Sequence, residues 1–275
     1  MWLKEHAGLE QVVAEELIVE STRPRVAVFE SGALVTLRGV NLNPGADPED
    51  MISIRIWVSA QRLLSLQGPR LLAIDSLLRR YREGAGPETI GGLLIAIISG
   101  LTERMGPVIE TIDSVLDELE DRVIDPQRSV ERLELIRIRQ RVITLHRYLA
   151  PQAAALKQIA SLSVITLDAE LRDQLYQQIN RVVRFVEDLD AAKGRAIVIH
   201  DELSNQLAER ANQRIYAVTI IAAIFLPLTL VSGLLGMNVG GVPMTSNPYG
   251  FILVCVKSAV LGIAGFLVLR FTRWL

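Results

Sequence analysis

Apolar and polar side chains alternate with a period near two through the first quarter of the chain, which is typical of strands with one buried face. Two hairpins are predicted, with turns at 30–32 and 59–61, and a loop with glycine and proline at 43–48 joins them. The four predicted strands are 25–29, 33–40, 51–58 and 62–67. The pattern therefore predicts a small, mainly antiparallel sheet.

The spacing of apolar residues changes to three and four after Pro69, which indicates amphipathic helices. One helix is predicted over 70–82. Two longer helices, 87–125 and 129–162, are predicted to run antiparallel and to be joined around Asp125-Pro126. Together with the sheet, these helices make 1–166 a domain of the α+β class.

A long stalk helix is predicted next, because the chain from Leu167 has no proline before Pro227. Its apolar residues recur every three, four or seven positions and form a single seam. The seam residues are Leu171, Leu175, Val182, Val186, Leu189, Ala196, Leu203 and Leu207. If the stalk, 167–214, continues into the apolar segment that follows, the helix is about 100 Å long. Such a helix needs neighbours to bury its seam, and symmetric copies of the chain would supply them.

The C-terminal part of the chain is predicted to be a two-helix transmembrane hairpin. Segments 215–235 and 249–269 would each span about 31 Å as helices, and Lys257 is the one charged residue within them. The loop 236–248 between them contains glycines and prolines but no charge. Arginines precede the first segment and follow the second, the latter in a basic tail at 270–275. The positive-inside rule therefore places both termini in the cytoplasm and makes the first domain cytosolic.

Charge is distributed unevenly between these parts. The chain from Ile215 onward contains no Asp or Glu, whereas the residues before it carry 26 basic and 31 acidic side chains. With a net charge of −2 for the whole chain, a nucleic-acid partner is not expected. The single cysteine, Cys255, excludes a multi-cysteine zinc cluster. Since the sequence also lacks a phosphate-binding glycine loop, a paired metal motif and a nucleophile elbow, neither a cofactor nor an enzyme activity is predicted.

Selected residues of the first predicted span fall near one stripe when they are plotted at 3.6 residues per turn. The stripe comprises Asn212, Ile215, Val218, Ala222, Leu226, Thr229 and Gly233. Polar groups at both ends of an otherwise apolar stripe suit a pore that is gated by dewetting, so these residues are predicted to line a pore. A second interpretation stays open, in which Thr229 hydrogen-bonds its own helix backbone and Asn212 lies among lipid headgroups.

The outer end of this span resembles a known family. Gly236-Met237-Asn238 follows a helix that contains 224–229, and a second helix and the basic end 273–275 come after it. The motif, its position and its flanking helices are similar to those of the CorA metal-ion transporter family. The resemblance covers essentially the whole chain. The resemblance implies a homopentamer in the bacterial inner membrane. It also implies that the first spans line the pore and that the Gly-Met-Asn turn forms the outer selectivity site.

Within that family the chain looks most like the ZntB-type zinc transporters. Residues 20–25 and 236–243 resemble stretches typical of that branch, and 242–245 lack the carboxylate that is more usual in the magnesium branch. The resemblance implies transport of Zn²⁺, with Mg²⁺, Co²⁺, Ni²⁺ and Cd²⁺ as further candidate ions, and a proposed coupling to protons. The direction of transport and the order of ion preference stay open.

The chain departs from the family pattern in two places. The resemblance begins some way into the family's N-terminal domain, so we expect early sheet elements of a typical member to be absent and one sheet edge to be exposed. Lys257 interrupts the second span and is interpreted as snorkelling outward, because it lies close to the outer end of the span.

Two kinds of ion site are predicted. A ring of Asn238 carboxamides, one from each copy, would bind a hydrated cation through neutral oxygens, weakly enough to permit release. On the cytoplasmic side, the acidic body would concentrate cations. Its acidic clusters are Asp113, Asp117, Glu118, Glu120 and Asp121, and then Glu187, Asp188 and Asp190. These clusters, together with His146 and His200, are interpreted first as solvated helix faces and second as regulatory metal sites.

Two other functions stay open. One is a magnesium or cobalt channel of the same family. The other, from a different class, is a membrane-tethered coiled-coil scaffold whose hairpin is only an anchor. An anchor has no need of Asn238, of Thr229 or of a glycine-rich outer turn, so transport is the preferred prediction. The partners expected are further copies of the chain, membrane lipid, the transported cations and protons.

Overall fold

The computed structural model describes residues 9–19, 23–124, 132–237, 239–240, 242–243 and 248–271. The chain divides into two compact units, Met1–Glu202 and Leu203–Leu275.

The sheet of the first unit has four antiparallel strands in the order β1-β2-β3-β4. Their bounds are Arg25–Phe29 for β1, Gly32–Gly39 for β2, Ile52–Val58 for β3 and Leu63–Gln67 for β4. Both predicted hairpins are confirmed. Gly32 begins β2 where no side chain fits, since a Cβ there would lie 2.5 Å from Trp57 Cζ2 and 2.6 Å from the carbonyl oxygen of Val58.

The two faces of the sheet belong to different apolar clusters. Val35 and Ile54 point to the main core, which the long helices complete. Leu34 and Trp57, on the other face, pack with a short N-terminal helix, α1 (Gln11–Ile18). This helix was not predicted, because 8 residues are too few to display a clear helical period.

Among the described residues, four helices that lie wholly within the first unit follow α1. Their bounds are Leu72–Arg82 for α2, Ile90–Glu103 for α3, Gly106–Ile124 for α4 and Arg132–Ile159 for α5. The prediction of one helix over 87–125 is wrong, because the chain turns at Arg104 and Met105. Pro107 accounts for the turn: it has no N–H to donate to the turn before it, whereas the first turn of a new helix tolerates proline, so one helix ends and another starts there. The junction predicted around Asp125-Pro126 lies outside the described residues.

The long helix predicted from Leu167 is confirmed as α6 (Ala169–Leu235), a continuous helix of 67 residues. It begins after Asp168, whose carboxylate accepts a hydrogen bond of 2.8 Å from the backbone N–H of Leu171. Its buried residues are Leu175, Ile179, Val182, Leu189, Ala192, Ala196 and Ile199. The seam is therefore buried only within the first unit, and Leu207 is 54% exposed. The predicted boundary between stalk and span at 214 falls inside α6 and stays a prediction.

One edge of the sheet is covered by a side chain. Strand β1 is shorter than β2, so the backbone of β2 beyond Thr36 has no strand partner on that side. There the buried amide of Gln152, in α5, accepts a hydrogen bond of 2.7 Å from the backbone N–H of Arg38. Gln152 thus closes the unpaired end of β2 at Arg38, whereas β1 and β4 are the outer strands of the sheet, and the exposed edge expected from the sequence stays a prediction.

The second unit contains the C-terminal part of α6 and the last helix, α7 (Gly250–Phe271). By length and composition, three helical segments of the described residues could cross a membrane: Ile90–Ile124, Ala169–Leu235 and Gly250–Val268. The apolar window of the first is 56% buried in the first unit, so its hydrophobicity serves the core. The windows of the other two are 0% buried, so their apolar surfaces are free to face lipid or other helices.

Candidate functional site

In the second unit, α6 packs against α7 along one face. The half-buried residues of this face recur every three or four positions and are Ile220, Ile224, Leu228, Val231 and Leu235. Gly262 of α7 lies beside Leu228, whose Cδ1 would be 3.6 Å from a Cβ at position 262. A small residue at this point allows the two helices to approach closely.

The predicted pore-lining stripe lies on the opposite face of α6. At 100° per residue, Leu226 and Gly233 are about 180° from the centre of the half-buried set. All seven stripe residues are exposed, with Ile215 at 64%, Val218 at 66% and Leu226 at 70%. Since the rest of the second unit, as far as it is described, does not cover them, this face is free to meet lipid or other copies of the chain. Their role in a pore stays a prediction.

The hydroxyl groups in this region bond to their own helix. Thr229 Oγ1 donates to the carbonyl oxygen of Phe225 at 2.8 Å, and Thr219 Oγ1 donates to that of Ile215 at 2.9 Å. The intrahelical bond that the second interpretation assigned to Thr229 is therefore present. It uses the hydroxyl hydrogen and leaves oxygen lone pairs available, so Thr229 still has acceptor capacity toward the exposed face.

The Gly-Met-Asn motif begins where α6 ends. The backbone N–H of Gly236 donates to the carbonyl oxygen of Ser232 at 2.9 Å, and the next residue, Met237, is 47% exposed. Asn238, the predicted outer cation site, lies outside the described residues, as do 244–247. The structure thus places the start of the motif at the end of the stripe-bearing helix.

The acidic cluster of α4 surrounds an arginine of α6. Arg195 Nε lies 2.8 Å from Glu120 Oε1, and Arg195 Nη2 lies 2.9 Å from Glu120 Oε2. Asp117 also hydrogen-bonds this guanidinium, and Asp113 Oδ1 lies 3.9 Å from its Nη1. The hydrogen bonds to Glu120 and Asp117 raise the pKa of Arg195 above its usual value. The sequence did not single out Arg195, because its partners are 75 and 78 residues away.

This arrangement changes the interpretation of the cluster. Within the described ranges, no group of three or more His, Cys, Asp or Glu could hold a metal ion. Burial raises the pKa of Asp113, Asp188 and Asp117 add to the effect, and Arg195 opposes it. The cluster thus combines a guanidinium with a carboxyl group that resists ionisation, which favours a structural role over cation binding.

His146 also has a specific partner. Its Nε2 lies 3.2 Å from Asp190 Oδ1, so this pair joins α5 to α6. The sequence treated the two residues as separate candidates for regulatory metal sites, whereas the structure pairs them with each other. His200 is half-buried on α6.

Known proteins are similar to this chain over nearly its whole length. The matching family model describes a CorA-like Mg²⁺ transporter protein and covers residues 1–273. The divalent cation transporter CmaX of Pseudomonas aeruginosa is 37% identical over 278 residues, which cover 100% of this chain and 83% of CmaX. A zinc transport protein, ZntB of Yersinia enterocolitica, is 32% identical over 274 residues, which cover 100% of this chain and 84% of ZntB.

Solved structures share the fold. The structure of full-length CmaX has a TM-score of 0.83 at 37% identity and covers 99% of this chain and 84% of that one. The structure of the CorA magnesium transporter of Methanocaldococcus jannaschii also has a TM-score of 0.83, at 19% identity. The match covers 99% of this chain and 86% of the Methanocaldococcus jannaschii chain. That second likeness supports the fold alone. Because the family model and two relatives span almost the whole sequence, the chain belongs to the family of CorA-like Mg²⁺ transporter proteins.

Proposed function

We propose that this chain transports divalent metal cations, with Zn²⁺ as the main cargo, across the bacterial inner membrane. The similarity to CmaX, described as a divalent cation transporter, and to ZntB, described as a zinc transport protein, supports the proposal. The observation that carries it is the position of the stripe on α6. Its seven residues face away from α7 and are exposed, which is what a helix needs if it lines a channel between copies of the chain.

The proposed transporter is a homopentamer. One pair of helices encloses no channel, and the apolar windows of both helices are 0% buried in the single chain. Five copies of α6, arranged with the stripe inward, would enclose a pore in which Ile215, Ala222 and Leu226 form hydrophobic constrictions. Thr229 and Gly233 would then lie toward the outer end, next to the Gly-Met-Asn turn.

The proposed outer site is a ring of Asn238 carboxamides. Zn²⁺ would meet this ring with water in its coordination shell, and neutral oxygens would hold it without the long residence that a ring of carboxylates would impose. The absence of Asp and Glu from 215–275 is consistent with such a weak site. Attraction of cations would come instead from the first 214 residues, which have an excess of five acidic groups per chain.

The test is uptake of zinc-65 into liposomes that contain the purified protein, with and without an imposed pH gradient. Asn238→Ala should abolish the flux, whereas Asn180→Ala, the same change at an exposed position of α6, should leave it intact. Flux that rises with the gradient would support coupling to protons. Wild-type flux that ignores the gradient would contradict coupling and indicate a passive channel.

A second cargo within the same class is Mg²⁺ or Co²⁺, which the description of the family model favours. Competition between the ions tests whether Mg²⁺ is also a cargo. Excess Mg²⁺ should suppress zinc-65 uptake only if Mg²⁺, too, binds in the pore. Absence of flux of any divalent cation through a protein shown to be oligomeric would overturn transport. That result would favour the membrane-tethered scaffold.

A further inference from the structure

Lys257 places a cation in the middle of an apolar helix surface. Apart from Arg270 in the last turn, it is the only charged residue of α7. Lys257 is exposed, and the apolar residues around it on the helix surface are exposed as well. These neighbours are Leu253 at 37%, Val256 at 57%, Val260 at 61% and Leu261 at 42%.

Lys257 lies outside the contact between the two helices of the hairpin. A cavity of about 600 Å³ between them is lined on the α7 side by Gly250, Phe251, Val254, Cys255 and Ser258. Gly262 continues that face beside Leu228. At 100° per residue, Lys257 is about 100° away from the middle of this face, so its ammonium group is directed outside the hairpin.

The hairpin contains no carboxylate that could pair with this lysine. From Ile215 to Leu275 there is neither Asp nor Glu, so a second copy of the hairpin would bring none either. A cation on an apolar membrane surface is stabilised by an anion or by reaching water. The anionic groups that lie beside such a surface are the phosphates of the lipids.

The position of Lys257 along α7 determines which phosphates it can reach. It lies about 10 Å from Gly250 along the helix axis and about 21 Å from Phe271. Side chains on a helix tilt toward its N-terminus, so the methylene stem of Lys257 leans toward the nearer end. Tyr249, at that end, is 69% exposed, as is typical of an aromatic residue at the membrane interface.

We propose that Lys257 binds the phosphodiester group of a phospholipid in the leaflet at the N-terminal end of α7. Its ammonium group donates hydrogen bonds to the phosphate oxygens, and Leu253 and Val260 contact the acyl chains. The apolar neighbours favour a lipid over free phosphate, which has no chains to cover them. If both termini are cytoplasmic, as in the proposed function, the leaflet at the N-terminal end of α7 is the outer one. Only this assignment to the outer leaflet rests on the proposed function. The contact would hold the hairpin at a fixed depth beside the Gly-Met-Asn turn.

The lysine content of the chain permits a direct test. The chain has lysines at positions 4, 157, 193 and 257, and the first three belong to the first unit. Full-length protein labelled with nitrogen-15 in its lysine side chains is placed in phosphatidylglycerol and phosphatidylethanolamine vesicles. Solid-state NMR then measures dephasing of the ammonium signals by phosphorus-31. We expect one dephased signal that disappears in Lys257→Met and persists in Lys193→Met.

A second variant guards against misfolding. Lys257→Arg keeps the charge but removes the labelled nitrogen, so the dephased signal should disappear in this variant too. Equal dephasing in wild-type protein and Lys257→Arg would overturn the inference. The same measurement is repeated in vesicles of a phosphorus-free lipid with added inorganic phosphate. Dephasing of the Lys257 signal there would indicate that free phosphate is the ligand and would overturn the proposal that Lys257 binds a phospholipid. The NMR measurement does not depend on zinc flux. Its result can therefore be distinguished from the result of the flux assay with Asn238→Ala, which tests the proposed function.

Discussion

Arg195 and Glu120 are joined by two parallel hydrogen bonds of 2.8 and 2.9 Å, although 75 residues separate them in the sequence. The pair connects α6 to α4. Arg195 directly follows Gly194, a helical position where a Cβ would meet no atom within 4 Å. Since glycine is a poor helix former, the two-pronged contact holds α6 next to a locally weak point of the helix.

We expect Arg195→Lys and Arg195→Met each to lower the free energy of unfolding by about 1 kcal/mol, because an ammonium cannot reproduce the two-pronged contact and a thioether has no N–H to donate. The side chains of Arg195 and Glu120 are 31% and 39% exposed, which keeps the effect small. Denaturant unfolding of the purified protein measures it. Arg184→Met, at an exposed position of the same helix, is the matched control and should leave stability unchanged. Full stability of Arg195→Lys would contradict the importance of the two-pronged contact.

Asp113 predicts a dependence of stability on pH. Burial raises its pKa in the folded protein above the ordinary value, so the folded state keeps the proton to higher pH than the unfolded chain does. The contribution of this group to stability is therefore greatest below its ordinary pKa and declines as the pH rises through the raised value.

Asp113→Asn should accordingly unfold at a higher temperature than wild type in neutral buffer. In buffer more acidic than the ordinary aspartate pKa the two proteins should unfold together, since wild-type Asp113 is then protonated in both states. Thermal unfolding of both proteins over that pH range is the measurement. A difference of the same size at both ends of the range would show that the amide acts through packing and not through charge.

Gln152 should be sensitive to loss of its amide. Gln152→Leu leaves the buried backbone N–H of Arg38 without its acceptor, and we expect a loss of about 1–3 kcal/mol in the free energy of unfolding. Hydrogen exchange at the Arg38 amide should accelerate in the same variant. Gln140→Leu, at an exposed position of α5, should change neither quantity. Unchanged exchange at Arg38 in Gln152→Leu would mean that another group protects the sheet edge.

Two glycines should respond in opposite directions to the same substitution. Gly194→Ala should raise the free energy of unfolding by up to about 1 kcal/mol, because it adds a helix-forming residue into open space. Gly32→Ala should lower it by about 1–3 kcal/mol, because the new Cβ would collide with the Val58 carbonyl and the Trp57 ring. Unfolding midpoints of the two variants test the pair. A lower midpoint for Gly194→Ala would mean that α6 requires a glycine there.

Local patterns were sufficient where structure depends on neighbours in the sequence. The hairpins turning at 30–32 and 59–61 were predicted because alternation and turn residues lie within a few positions of one another. The break before Pro107 was missed, although its signal was present, because the apolar period continues across it. Helix α1 gave almost no signal of its own, since Val13 and Leu17 owe their burial to Leu34 and Trp57, which come later in the chain.

The sequence by itself determined the four strands, the long helix α6, the apolar hairpin and the position of the stripe on α6, because each is a repeat that can be counted along one helix or strand. The exposed stripe opposite the α7 contact agrees with that count, whereas its role in a pore stays a prediction. Only the tertiary structure showed that Arg195 lies among the acids of α4 and that Gln152 closes the edge at Arg38. The physical reason is that these contacts join groups 75 and 114 residues apart. Their geometry depends on how whole helices and strands pack, and no local period records it.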